Sequence, residues 1–205
     1  MSKIVLHASV FSRSFVAHWM LLELGVPYEV VDTDIRTGMQ KAPPYLKLNP
    51  MGKVPTLVDD GVVVTELPAI CLHLADKYGY GTLAPKIEDP LRGTYLRWTV
   101  FSTTTFEPAA YLGTSDAKEA RGVGWGTQKA MLDTLEHALT PGPWLLGDRF
   151  SAADIALGGV FSIAYFNKRF PARPVFDAYY QRLSDRPANK RAGEINWPPE
   201  LLKQP

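Results

Sequence analysis

The chain has 205 residues, 46% of them hydrophobic and 21% charged, which is the profile of a globular protein with enough apolar surface for a core. Its 22 Lys and Arg balance 21 Asp and Glu, so no net field draws it onto nucleic acid or an anionic membrane, and neither is expected as a partner. The sequence opens on a strand-like run rather than an apolar leader, no apolar stretch nears about 18 residues, and the lone Cys71 has no internal disulfide partner. A cytoplasmic, reducing setting is expected from these features. His7, His18, His73 and His137 lack zinc-ligand spacing among themselves or with Cys71, so no metal is expected.

In chain order, "KIVLH" (3–7) and "YEVVDTDI" (28–35) read as strands, and "SRSFVAHWMLLELG" between them has helical length. Ser12 or Ser14 is placed to cap that helix, and Gly25 with Pro27 stops it. The unit is βαβ with a parallel pair. Residues 36–52, broken by Pro43, Pro44, Pro50 and Gly52, read as a loop with one short helix around 45–48. "PTLVD", a turn at Asp60-Gly61 and "VVVTE" form a hairpin of type I′ geometry, and a helix over about 67–78 follows, ended by Gly79 and Gly81.

"YGTLAPKIEDP" carries linker composition, and beyond it the strand signals stop. Four stretches read as helices: "LRGTYLRWTVFSTTTFEPAAYL", "GTQKAMLDTLEHAL", "SAADIALGGVFSIAYFNKRF" and "PVFDAYYQRLSDRPANKRA". The expected division is an α/β domain over 1–80, a linker over 81–90 and an all-α domain over 91–205. Ser151, followed three residues later by Asp154, is a capping-box variant with Phe150 as its staple, a folding element. Cys71 sits in an apolar helix and reads as a buried thiol without a redox role.

Glu66 stands between the hairpin and the next helix. Alone, an acid there serves the helix dipole. Together, "NPMGKVPTLVDDGVVVTELPAI" (49–70), "WLLGDRFSAADIAL" (144–157) and "LLELGVPYE" (21–29) resemble the glutathione transferase family over nearly the whole chain. The resemblance implies a thioredoxin-like, glutathione-binding N-terminal domain (βαβ-ββα) and an all-α C-terminal domain that lines an electrophile site. It implies a cis peptide at Val54-Pro55, with Lys53, Val54 and Pro55 at the tripeptide and the Val54 backbone pairing with its cysteinyl part. Glu66 and position 67 then hold the γ-glutamyl end. That end carries an α-ammonium beside an α-carboxylate, so it needs an anion next to a helix N-terminus, which is what this junction offers. Leu67 stands where the family usually has serine, which removes a hydroxyl and leaves a poor cap, at about 1 kcal/mol against serine.

A glutathione thiol with a pKa of about 8.5 is only a few per cent ionised at neutral pH and must be activated. The loop after the first strand offers Ser12, with Ser9 second and Ser14 as a helix cap; a register counted back from Gly25 falls nearest Phe11, and the alternative is that all three serines serve only the turn and cap. No tyrosine, cysteine or CxxC lies there, which argues against the tyrosine-type and thiol-exchanging classes. Phe11, Phe106 and Tyr111 are expected at the electrophile pocket, although aromatic residues at helical spacing also build cores. The implied activity is conjugation of glutathione to a small hydrophobic electrophile, in a homodimer. The alternatives are a glutathione-dependent isomerase, dehalogenase or ether-cleaving enzyme on the same scaffold, or a binding protein without catalysis.

Overall fold

The computed structural model describes residues 3–113 and 116–202. Contacts divide the chain into one unit of residues up to Tyr78 together with those from Pro187 onward, and a second unit over Gly79–Arg186. The first unit runs β1 (Ile4–Ala8), α1 (Ser14–Leu24), β2 (Glu29–Asp32), a 3-10 turn (Met39–Lys41), α2 (Pro43–Leu46), β3 (Thr56–Asp59), β4 (Val62–Val64) and α3 (Leu67–Tyr78). The sheet order is β2-β1-β3-β4, with β1 parallel to β2 and antiparallel to β3, and β4 antiparallel to β3. This is the thioredoxin-like arrangement that the resemblance implied.

Period-two alternation in β1 puts Ile4, Leu6 and Ala8 inside, where Leu57, Val16, Trp19, Met20, Ile70, Cys71 and Leu74 complete the core. Burial pushes the Cys71 thiol up to about 12, consistent with a core role. Asp60 (φ 51°) and Gly61 (φ 85°) both adopt the positive φ that a type I′ hairpin requires. Below the hairpin, the buried Asp59 carboxylate accepts from Lys77 Nζ (2.8 Å), Tyr78 OH (2.6 Å) and His73 Nε2 (2.6 Å), tying β3 to α3.

The second unit contains α4 (Arg92–Phe101), a π-helical segment (Ser102–Phe106), α5 (Glu107–Leu112), α6 (Ala117–Ala120), α7 (Gln128–Leu139), α8 (Ala152–Phe166) and α9 (Pro174–Asp185). Its centre is α8, buried without interruption from Ala152 to Phe161. Gly158 lets α9 approach, since a Cβ there would lie 2.8 Å from Leu183 Cδ1. The capping box at Ser151 and Asp154 is formed. Burial pushes the Asp154 carboxyl up to about 6, against the backbone N–H groups of Leu145 and Ser151 and the Tyr179 hydroxyl, which favour its charged form.

Four sequence expectations about the elements need correction. Neither Ser12 nor Ser14 is the cap of α1: Arg13 holds that position without a side-chain cap bond, and Ser14 is the first helical residue. The short helix starts at Pro43 rather than near 45, because prolines fit the first helical turn, where no N–H partner is needed. The stretch 91–112 is interrupted by the π segment. The final stretch is two helices, α9 and α10 (Pro187–Asn196), followed by α11 (Pro199–Leu202). Pro187 excludes Arg186 from helical geometry, and Arg186 is extended (φ −66°, ψ 129°). The break lets α10 leave the helical unit and pack on α1.

Candidate functional site

Strand register brings three segments to one end of the sheet. His7 lies opposite Thr56 and Leu57 opposite Val64, so one or two residues further on, the loop after β1, the Val54-Pro55 peptide and Glu66 come level. Both α1 and α3 begin at that end, and neither has another acid in its first turn. Two positive helix ends therefore lie at the end of the sheet that bears Glu66.

The three serines of the first loop bind one another. Ser12 Oγ donates to the Ser9 carbonyl (2.6 Å), accepts from the Ser14 N–H (3.1 Å) and lies 2.9 Å from Ser14 Oγ, which accepts the Ser9 N–H (3.2 Å). Ser9 is buried, and its Oγ accepts the Ile35 N–H (3.2 Å), so it ties the loop to the segment after β2. Ser14 is buried as well. Ser12 is thus the one hydroxyl of the three that is partly exposed. Beside it, Phe11 has φ 55°, gives its N–H to the Asn196 carbonyl (2.9 Å) and is 37% exposed.

The Val54-Pro55 peptide is cis, as the resemblance implied. Supports that the sequence reading missed hold the segment. Tyr45 OH and Asn49 Nδ2 donate to the Lys53 carbonyl (2.5 and 2.9 Å), and both reach Thr56 Oγ1 (2.8 and 3.2 Å). No spacing rule marks Tyr45 and Asn49, because their partner is a backbone oxygen. Gly52 (φ 58°) is required, since a Cβ would lie 2.7 Å from the Gln40 carbonyl. Within the described residues, the Val54 N–H and carbonyl have no hydrogen-bond partner, and the Lys53 side chain is exposed.

Glu66 adopts φ 67°, a left-handed conformation that a non-glycine residue holds at a cost of about 1–3 kcal/mol. Its carbonyl accepts the Ile70 N–H (2.9 Å), while its exposed carboxylate bonds no described residue. Leu67 is not the cap but the first helical residue, 6% exposed, so its side chain belongs to the core. The penalty expected for a leucine cap does not arise.

In the helical unit, Phe106 is wholly buried, with ring centroids 5.9 Å from Phe161 and 5.7 Å from Phe170. It is a core residue rather than a pocket wall, because the aromatic cluster around α8 encloses it. Tyr111 is half-buried with the Arg169 guanidinium 4.9 Å from its ring centre. Among the described residues, no three His, Cys, Asp or Glu side chains are grouped to hold a metal.

Residues 11–77 match the glutathione S-transferase N-terminal domain, and residues 115–182 match the C-terminal domain of the same family. Glutathione S-transferase F10 of Arabidopsis thaliana is 30% identical over 208 residues, covering 91% of this chain and 94% of that protein. The chain belongs to the glutathione S-transferase family. Its relatives mark this transferase as an enzyme. A glutathione transferase from Methylococcus capsulatus has the same fold, with a TM-score of 0.78 and 30% identity over 94% of this chain and 98% of that one. One from Phanerochaete chrysosporium, solved with oxidised glutathione, shares the fold of this transferase at a TM-score of 0.77 and 23% identity, covering 100% and 99% of the two chains.

Proposed function

We propose that this transferase binds glutathione at the sheet end bearing Glu66 and joins its thiolate to a small hydrophobic electrophile. The observation that carries the reading is Glu66, held in a left-handed conformation with its carboxylate bonded to no described residue, level with Val54, whose backbone N–H and carbonyl are also without a partner among the described residues. Glu66 takes the α-ammonium of the γ-glutamyl group, and the first N–H groups of α3 take the adjacent carboxylate. The Val54 backbone pairs with the cysteinyl residue beside Pro55. The exposed Lys53 ammonium suits the remaining carboxylate.

The sulfur then faces the start of α1, where the helix dipole and Ser12 favour the thiolate. Ser12 donates to sulfur by exchanging its bond to the Ser9 carbonyl, while Ser9 stays in place as the tie to Ile35. The thiol proton leaves to solvent. The sulfur lone pair forms the new C–S bond as the leaving group departs with its electron pair. The exposed Phe11 supplies an apolar wall next to Ser12. Isomerase, dehalogenase and ether-cleaving activities share these glutathione contacts and differ in the electrophile. We place the enzyme in the cytoplasm, with a role in detoxification. We also place it in a homodimer, for which the edge strand β4, with Val62 57% and Val63 40% exposed, offers an apolar edge. Among the described residues no helix is long and apolar enough to cross a membrane.

The second reading, a glutathione-binding protein without catalysis, is favoured by the Ser12 hydroxyl already serving Ser9. Calorimetric titration with glutathione, an ultraviolet titration of the bound thiol and turnover of an activated aryl chloride separate the two. Catalysis requires binding, a thiol pKa below the free value of about 8.5 and turnover. Binding with an unshifted thiol and no turnover supports the second reading, and no binding at millimolar glutathione rejects both.

A further inference from the structure

The loop that would activate the thiol is held from the far end of the chain. Its Phe11 N–H is bound by the Asn196 carbonyl at the end of α10, at 2.9 Å. The next residue, Trp197, packs its ring 4.8 Å from that of Phe15 in the first turn of α1. Phe11 keeps φ 55°, a conformation that a bulky residue does not hold unless its surroundings impose it. Ser12 follows directly, so a change at Phe11 redirects the Ser12 hydroxyl.

The Asn196 side chain adds a second observation. It is 1% exposed, and neither Oδ1 nor Nδ2 has a hydrogen-bond partner among the described residues. A buried polar pair left unsatisfied lowers stability, and an apolar side chain of similar volume does not carry that penalty. A residue kept only for packing would be a leucine. The carboxamide has a donor and an acceptor in reserve in the same residue whose carbonyl holds the loop. The loop, for its part, must release one internal bond, Ser12 Oγ to the Ser9 carbonyl, before Ser12 serves the sulfur.

We propose that Asn196, anchored by Trp197, is a positioning residue for thiol activation: its carbonyl fixes Phe11, and its carboxamide supplies the loop with a hydrogen-bond partner when Ser12 turns to the sulfur. The proposal rests on the glutathione reading given above. It assigns to the C-terminal helix a part in setting the reactivity of a site built from β1, α1, β3 and α3.

The test uses the full chain with Asn196→Leu and Trp197→Ala. The Asn196→Leu enzyme is expected to melt no lower than wild type and to keep its glutathione affinity. Its kcat falls about tenfold or more, and the pKa of the bound thiol rises by about one unit, a tenfold loss of thiolate at neutral pH. A packing role moves melting temperature without moving the thiol pKa. In Trp197→Ala, hydrogen exchange at the Phe11 amide is expected to quicken by about tenfold or more, as loosening of this contact demands. A folded Asn196→Leu enzyme with unchanged kcat and thiol pKa overturns the proposal, as does unaltered Phe11 exchange in folded Trp197→Ala. If Asn196→Leu does not fold, Asn196→Ala is read by the same kcat and pKa criteria. A wild-type protein that binds no glutathione defeats the functional reading instead, and the Phe11 exchange measurement then still decides whether the C-terminal helix holds the loop.

Discussion

Helices α3 and α8 each start beside an acid, and the two acids are treated in opposite ways. Asp154, at the start of α8, is wholly buried and accepts from the Leu145 N–H (2.9 Å), the Ser151 N–H (3.0 Å) and Tyr179 OH (3.2 Å). Glu66, at the start of α3, is exposed, bonds no described residue through its carboxylate and sits in a conformation that favours glycine. The first acid is fully used by the fold. The second costs the fold and is available to a ligand. Hydrogen-bond satisfaction, more than the presence of an acid at a helix start, separates a folding residue from a binding one.

The comparison breaks most visibly at Asp154. Asp154→Ala leaves two backbone N–H groups and a tyrosine hydroxyl buried without their acceptor, a loss on the order of 3 kcal/mol. Its melting temperature is expected to fall by roughly 10 °C in a scanning experiment, while glutathione binding below the transition is retained. The pH dependence sharpens this point. The folded pKa of about 6 lies above the reference value of 3.8, so the stabilisation from proton uptake is complete below the lower value and is lost as pH rises through the upper one. The stability advantage of wild type over Asp154→Asn should therefore be larger near pH 5 than near about pH 7.5 in denaturant titrations. An advantage that grows with pH contradicts the assignment.

Ser12→Ala comes next, with kcat on the aryl chloride expected to fall about tenfold or more and glutathione affinity changed little, since the serine acts on the sulfur and not on the γ-glutamyl end. Leu67→Ser restores the serine common in the family but empties a core position. Its melting temperature is expected to drop by several degrees, from a loss of about 2 kcal/mol, with less than a tenfold gain in glutathione affinity. The smallest stability effect is at Glu66→Gly, which relieves the left-handed backbone and is expected to raise stability by up to about 1 kcal/mol as binding weakens.

The order of elements, the hairpin turn, the capping box and the acid at α3 were legible in the sequence because each depends on neighbours within a few residues. Asp60-Gly61 specifies its own turn, and Ser151 and Asp154 cap each other. Pro187 is an equally local signal of the break between α9 and α10, since it biases Arg186 away from helical geometry. Other features depend on residues far apart in the chain. Asn196 meets Phe11, Tyr45 holds the Lys53 carbonyl, and Phe106 is enclosed by Phe161 and Phe170. Spacing within one segment carries no record of such pairs. Leu67 shows a smaller failure of the same kind: as a supposed cap it seemed out of place, yet one residue further into the helix it is an ordinary core leucine.

The central claim, that Glu66 is a binding residue and not a helix-stabilising one, is tested most directly by calorimetric titration of glutathione into wild type and Glu66→Gln, with melting temperatures measured on the same samples. The account expects wild type to bind and the variant to bind about ten- to a hundredfold more weakly, the loss of one charge-assisted contact, with melting temperatures within about 2 °C of each other. Equal affinities, or a variant destabilised in proportion to its loss of binding, would contradict it.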